Sequence, residues 1–254
     1  MKKTNRLGEV RKNKESLGGY EMKIIEYNGT SDIWIEFQDE YKYKFHTNYS
    51  NFLKGGIKNP YHKSVCNIGY LGNGKYSCKD YPKIYNHWNH MLKRCYNIQV
   101  LDKNPTYKDC KVCEDWHCFQ NFAKWYEENY YEINDEKMEL DKDILCKGNK
   151  IYSPQNCCFV PIKINNLFTK RQNDRRGCVI GVSYHKRDCV YEAWCNDINN
   201  KNQYLGRFDN ELEAFYCYKQ FKEKVIKQVA DEYKNLIPKK LYDAMYKYEV
   251  EIND

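Results

Sequence analysis

Nothing in the 254-residue chain approaches the length of an apolar membrane span, and mean hydropathy is −0.94. A helical membrane protein is therefore not expected. The first six residues, Met1 to Arg6, carry charge, but no apolar segment follows them. A secretory leader is not expected either, and the chain reads as intracellular, in the cytoplasm. A disulfide framework is not expected either. Cysteine occurs 13 times. That is an odd number in a chain too long to need covalent staples, so reduced thiols or zinc fit better. A second zinc-type pair is also lacking. Cys110-Lys111-Val112-Cys113 has ligand spacing, with His117 and Cys118 just beyond, but Cys157 and Cys158 are adjacent. Adjacent strand residues point to opposite faces. Structural Zn2+ at Cys110 and Cys113 stays open, with buried free thiols the favoured reading.

What is abundant points toward a polyanion. Lys and Arg number 42 against 35 Asp and Glu, for a formal net charge of +7, and Tyr occurs 25 times. Aromatic rings beside cations suit nucleic-acid surfaces, where bases stack and phosphates need charge. An AT-rich genome, which favours Lys, Asn, Tyr and Ile codons, accounts for the same bias equally well. Composition therefore leaves a nucleic-acid partner such as double-stranded DNA open; a membrane partner is not expected.

The chain reads as a multidomain α+β protein in three parts. Residues 1–78 form a small β-module. Residues 22–27, 32–37 and 40–46 alternate in strand fashion, and Asn28-Gly29 marks the first turn. The expected unit is a three-stranded antiparallel meander with one wet, basic face. Residues 79–172 begin with two amphipathic helices. One carries Ile84, Trp88, Met91, Leu92 and Cys95 on a single face; the other carries Trp116, Phe119, Phe122, Ala123 and Tyr126. A strand–loop–strand–helix segment follows at 138–166. A basic link with Lys163, Lys170, Arg171, Arg175 and Arg176 leads into residues 173–254. That part reads as three short strands at 179–184, 190–196 and 203–208, a helix at 211–229 and a final helix at 235–248.

Two sets of residues carry family resemblances. In the middle part, Trp88, Met91, Arg94, Cys95, Tyr96 and Asn97 precede Val112, Cys113, Trp116, Phe119 and Phe122. Then come Leu140-Asp141-Lys142, Ile144, Tyr152-Ser153-Pro154 and Asn156-Cys157. Over residues 80–172 this order resembles the divergent HNH (ββα-metal) homing-endonuclease-like proteins of phages and mobile elements. The resemblance implies a ββα-metal core with flanking helices and metal-dependent phosphodiester hydrolysis at a DNA site. It assigns the metal-binding acid of the first strand to Asp141. It assigns the last metal ligand, on the helix, to Asn165, with Asn166 as the one-residue alternative. Asn156 takes the middle position, which pins the loop. Mg2+ or Mn2+ suits Asp and Asn oxygens.

The chain departs from that family where a catalytic His belongs, because Lys142 stands there. A lysine, with an ordinary pKa of about 10.4, is a poor base and a fair phosphate clamp. Asp143 stays open as a ligand or a base. Strand alternation turns Asp141 and Asp143 one way and Lys142 the other. Two readings follow, an active endonuclease and a DNA-binding relative that no longer cleaves.

In the last part, Gly181-Val182-Ser183, Tyr191, Ala193, Leu205-Gly206-Arg207-Phe208, Glu213-Ala214 and Tyr218 stand in order. Over residues 177–222 they resemble the APETALA-type, ethylene-response-factor-like DNA-binding domain. That resemblance implies a three-stranded sheet backed by one helix, with the sheet laid in the major groove. Alternation sends Val182, Tyr184, Tyr191, Ala193 and Cys195 toward the helix. It leaves Ser183, His185, Arg187, Glu192, Trp194, Asn196, Asn202 and Tyr204 outward, where polar and aromatic groups can read base edges. Lys163, Lys170, Arg171, Arg175 and Arg176 would add phosphate attraction.

Overall fold

Alternating apolar residues build the first sheet, and a helix closes over them. The computed structural model describes residues 5–169 and 177–254. The chain is a mixed α+β protein with several small antiparallel sheets and helices. It divides into two compact units, Met1–Glu128 and Asn129–Asp254. The expected cuts near residues 78 and 172 fall inside these units.

In the first unit, β1 (Val10–Lys12), β2 (Glu21–Gly29), β3 (Asp32–Phe37) and β4 (Lys44–Thr47) pair antiparallel in sequence order. Met22, Ile24, Ile33, Ile35 and Phe37 are fully buried and cluster with Phe52 of α1 (Tyr49–Lys54). The sheet has four strands where the pattern predicted three. All three residues of β1 are exposed, so it leaves no alternation to read. The last strand begins at Lys44 rather than near residue 40. Asp39 Oδ1 accepts the backbone N–H groups of Tyr41 and Lys42 at 3.2 and 3.1 Å, which turns the chain first. Further on, α2 (Pro82–Tyr96) buries Ile84, Trp88, Met91, Leu92 and Cys95. Then come α3 (Ile98–Lys103), the two-residue strand β5 (Lys111–Val112) and α4 (Phe119–Asn129). Trp88 is fully buried, and its Nε1 donates to the Trp116 carbonyl at 2.7 Å, which satisfies its only polar group.

In the second unit, β6 (Met138–Asp141), the short β7 (Ile151–Tyr152) and β8 (Cys158–Pro161) precede α5 (Ile162–Leu167). β6 and β8 pair antiparallel, with Leu140 opposite Phe159 and Asp141 opposite Cys158. A second sheet follows, of β9 (Val182–His185), β10 (Val190–Asn196) and β11 (Asn202–Phe208), in the order β11-β10-β9. The helices α6 (Glu211–Tyr233) and α7 (Lys239–Tyr246) end the chain.

The 23-residue α6 is shared by two cores. It starts where the Asn210 side chain accepts the Glu213 N–H at 2.9 Å. Its first half, through Ala214, Phe215 and Tyr218, covers Val182, Ala193 and Cys195 of the sheet. Its second half, through Val225, Ile226, Val229 and Ala230, packs with Val160, Ile164, Leu241 and Met245. Each large apolar side chain so buried contributes about 1.5–3 kcal/mol. That packing carries the helix past residue 229, where its periodicity weakens. The last helix is shorter than predicted, because Pro238 disfavours helix at the residue before it. Among the described residues no helix is long and apolar enough to cross a membrane.

Candidate functional site: an acidic turn and an outward sheet face

The backbone leaves β6 at Asp141 and turns at once. Asp141 Oδ1 accepts the N–H groups of Asp143 at 2.8 Å and Ile144 at 2.7 Å, which caps the turn. Strand alternation therefore stops at Asp141, and the expected separation of Lys142 from the acids does not hold. Lys142 is buried, and its Nζ lies 3.0 Å from Asp143 Oδ2. It also stands 5.9 Å from the Tyr152 ring centre. A lysine paired in this way is a counter-charge to the acids. Burial pushes the Asp141 carboxyl up to about 6, and the charge of Asp143 adds to the rise. The two backbone N–H groups and Lys142 pull the other way.

Amides hold the loop between β6 and β8. Asn156 Nδ2 donates to Asn149 Oδ1 at 3.1 Å. Asn149 Nδ2 in turn donates to the carbonyls of Lys142 at 2.6 Å and Ile151 at 2.8 Å. Asn156 thus reaches the acidic turn through Asn149, a residue the sequence reading did not single out. Its signal was the Gly148-Asn149 pair, a turn dipeptide with Gly148 at φ 80°.

Asn165 is half-buried on α5 and Asn166 is exposed. This helix contacts both β6 and β8. Among the described residues, no group of three or more His, Cys, Asp and Glu side chains is placed to hold a metal ion. The oxygen donors that the family resemblance assigns to a metal are Asp141 and Asn165. Such a sparse set suits a hard cation, Mg2+ or Mn2+, whose shell is completed by phosphate and water. All 13 cysteines are free thiols. Cys110 is buried, burial pushes the Cys113 thiol up, and His117 Nε2 donates to the Val112 carbonyl at 3.1 Å.

The sheet of β9, β10 and β11 presents the second feature. Val182, Ala193 and Cys195 are buried toward α6. Ser183, Asn196 and Asn202 are exposed, and Glu192 and Trp194 are half-buried. Trp194 stands opposite Tyr204, with ring centres 4.9 Å apart, and Tyr204 is 50% exposed. Arg187 is exposed between β9 and β10. His185 Nδ1 lies 3.4 Å from Asp188 Oδ2.

Two expectations change here. Tyr184 is not turned toward the helix. It is 43% exposed and packs sideways on Tyr191, 5.0 Å between ring centres, because the core under α6 reaches Tyr191 but not Tyr184. Lys163 belongs to α5, with its Nζ 2.9 Å from Glu232 Oε2, rather than to a free basic link. Lys170, Arg171, Arg175 and Arg176 lie outside the described residues.

Arg207 is a residue that alternation missed. It stands opposite Glu192 and donates to Glu192 at 3.0 Å and Asp188 at 2.9 Å. Strict alternation puts residues 204 and 207 on opposite faces. The register shift between Ala193 and Trp194 inserts one residue into β11 and returns both to one face. Comparison of the chain with protein-family models, with curated proteins and with solved structures finds no match.

Proposed function

We propose that this chain binds duplex DNA through the outward face of β9, β10 and β11. The observation that carries the reading is the cross-strand pair Trp194–Tyr204, set among exposed Ser183, Asn196 and Asn202 beside Arg187. Amides, hydroxyls and aromatic rings on a short sheet suit base edges and sugars, and an arginine suits phosphate or guanine. The net charge of +7 supports a salt-dependent attraction. Replacing Trp194 and Arg187 together by Ala should weaken binding to a selected duplex at least about tenfold, the loss of one good contact or more. Unchanged affinity in a gel-shift titration would sink the reading.

A second reading is favoured by the Asp141 turn. In it the segment from β6 to α5 is an HNH-like core, and the protein is a site-specific, metal-dependent endonuclease of phage or mobile-element type. Asp141 and Asn165 would hold Mg2+ or Mn2+, and Asn156 and Asn149 would keep the loop in place. A bound divalent ion supplies charge neutralisation at the phosphate and a more acidic water. Asp143 stays with Lys142 and balances its charge. Long duplex DNA incubated with Mg2+ or Mn2+ tests this beside Asp141→Ala and a chelator control. Nicking that needs both the ion and Asp141 supports cleavage; no nicking by the unaltered protein removes it and leaves DNA binding standing.

A further inference from the structure

Within the second unit, a cleft of about 330 Å3 opens among the end of α5, the start of β9 and the turn between β10 and β11. It exists because β9 is short. Trp194 N still donates to Gly181 O at 2.9 Å, but Cys195 and Asn196 pair only with β11. The lining is rich in amides and hydroxyls and, among the described residues, includes one charged side chain, Lys222 of α6. Among the described residues no carboxylate lines it.

Lys222 has no ion pair or hydrogen bond among the described residues. Burial pushes its pKa below that of an ordinary lysine. Asp254 lines an adjoining cavity of about 40 Å3 with Lys222. Its Oδ2, however, is already held by Lys147 at 2.8 Å and by the Glu251 N–H at 2.9 Å. A cation partly removed from water without a partner costs free energy until an anion joins it. A compact ammonium suits phosphate. The same cleft is lined by the amide residues Asn166, Asn196 and Asn202, by Ser183 and Thr169, and by Trp194. These provide hydrogen-bond partners and an aromatic wall for a planar heterocycle. The volume is near the lower end of small-ligand sites, roughly 300–1,000 Å3, which suits one nucleotide and not a duplex.

We propose that this cleft binds a nucleoside monophosphate, free or as the phosphorylated end of a DNA strand, with the phosphate on Lys222 and the base beside Trp194, Asn196 and Asn202. The site shares Ser183, Trp194, Asn196 and Asn202 with the sheet face proposed for duplex DNA, whereas Lys222 belongs to the cleft and not to that face, and Arg187 stands outside the cleft. Calorimetric titration of the full chain with the four deoxynucleoside 5′-monophosphates, their nucleosides, inorganic phosphate, and short oligonucleotides with and without a 5′-phosphate tests it. At least one monophosphate should bind, with its nucleoside and inorganic phosphate at least about tenfold weaker. Lys222→Met should weaken nucleotide binding about tenfold or more, and Lys222→Arg should retain most of it. Asn202→Ala should weaken nucleotide binding without affecting inorganic phosphate. Tighter binding of the phosphorylated oligonucleotide assigns the site to strand ends; tighter binding of the mononucleotide assigns it to a free nucleotide. No binding by any phosphorylated ligand, unchanged affinity in a folded Lys222→Met variant, or inorganic phosphate binding as tightly as every nucleotide overturns the proposal. Arg187→Ala should weaken duplex binding and spare the nucleotide, which separates failure of this site from failure of the sheet face.

Discussion

Replacing Asp141 by Asn should alter the pH dependence of stability in the direction opposite to that of a salt-bridged carboxylate. The amide oxygen can still accept the Asp143 and Ile144 N–H groups now bound at 2.8 and 2.7 Å, so the turn is kept and the charge is lost. In the folded chain burial holds the Asp141 carboxyl at about 6, against an ordinary value of about 3.9. A rise of about two units corresponds to up to roughly 3 kcal/mol, at about 1.4 kcal/mol per unit. Below about pH 4 the group is protonated in both states and costs nothing. Between about pH 4 and 6 the unfolded chain ionises first, so the folded state binds more protons and stability falls as pH rises. Above the folded value the loss is complete. Native-state hydrogen exchange at the amides of Val160 and Val229, in buffer with a chelator, reads the stability of this unit. The stability of the unaltered protein, minus that of Asp141→Asn, should fall from pH 4 to pH 7. Carbon NMR should show the Asp141 carboxyl titrating near 6. A difference that stays level or rises with pH, or a carboxyl midpoint below 4, would refute the reasoning.

Three further substitutions probe the packing that positions these features. Gly181 has φ +75°, and a Cβ there would collide with the Tyr218 ring, so Gly181→Ala should destabilise by about 2–4 kcal/mol in thermal melts. Leu241 is fully buried beside α6, and Leu241→Ala should cost about 2–5 kcal/mol by denaturant unfolding; a loss well under 1 kcal/mol would mean this cluster is not packed as described. The Tyr233 hydroxyl donates to Glu136 Oε1 at 2.7 Å, and Tyr233→Phe should cost about 1–2 kcal/mol, with no change in duplex binding.

Elements that bury one face were legible in the sequence. Met22, Ile24, Ile33, Ile35 and Phe37 announced β2 and β3, and Ile84, Trp88, Met91, Leu92 and Cys95 announced α2, because all ten lie against a core. β10, β11 and most of α6 were readable for the same reason. β1 was not, since a strand exposed on both faces leaves no period-two signal. The outward placement of Arg207 was hidden by the register shift in β11, which sequence alternation cannot register.

The candidate site divides along the same line. Residue types and their order were enough to single out Asp141, Asn156, Asn165 and the outward residues of β9 to β11. Only the tertiary structure decided that Asp141 caps a turn, that Lys142 is spent on Asp143, and that Asn149 links Asn156 to that turn. It alone set Lys222 in the lining of a cleft, with no ion pair or hydrogen bond among the described residues. Local pattern determines which face of an element is apolar, because that depends on spacing along one chain segment. What a polar side chain pairs with depends on segments distant in sequence, and their approach is set by packing, not by period.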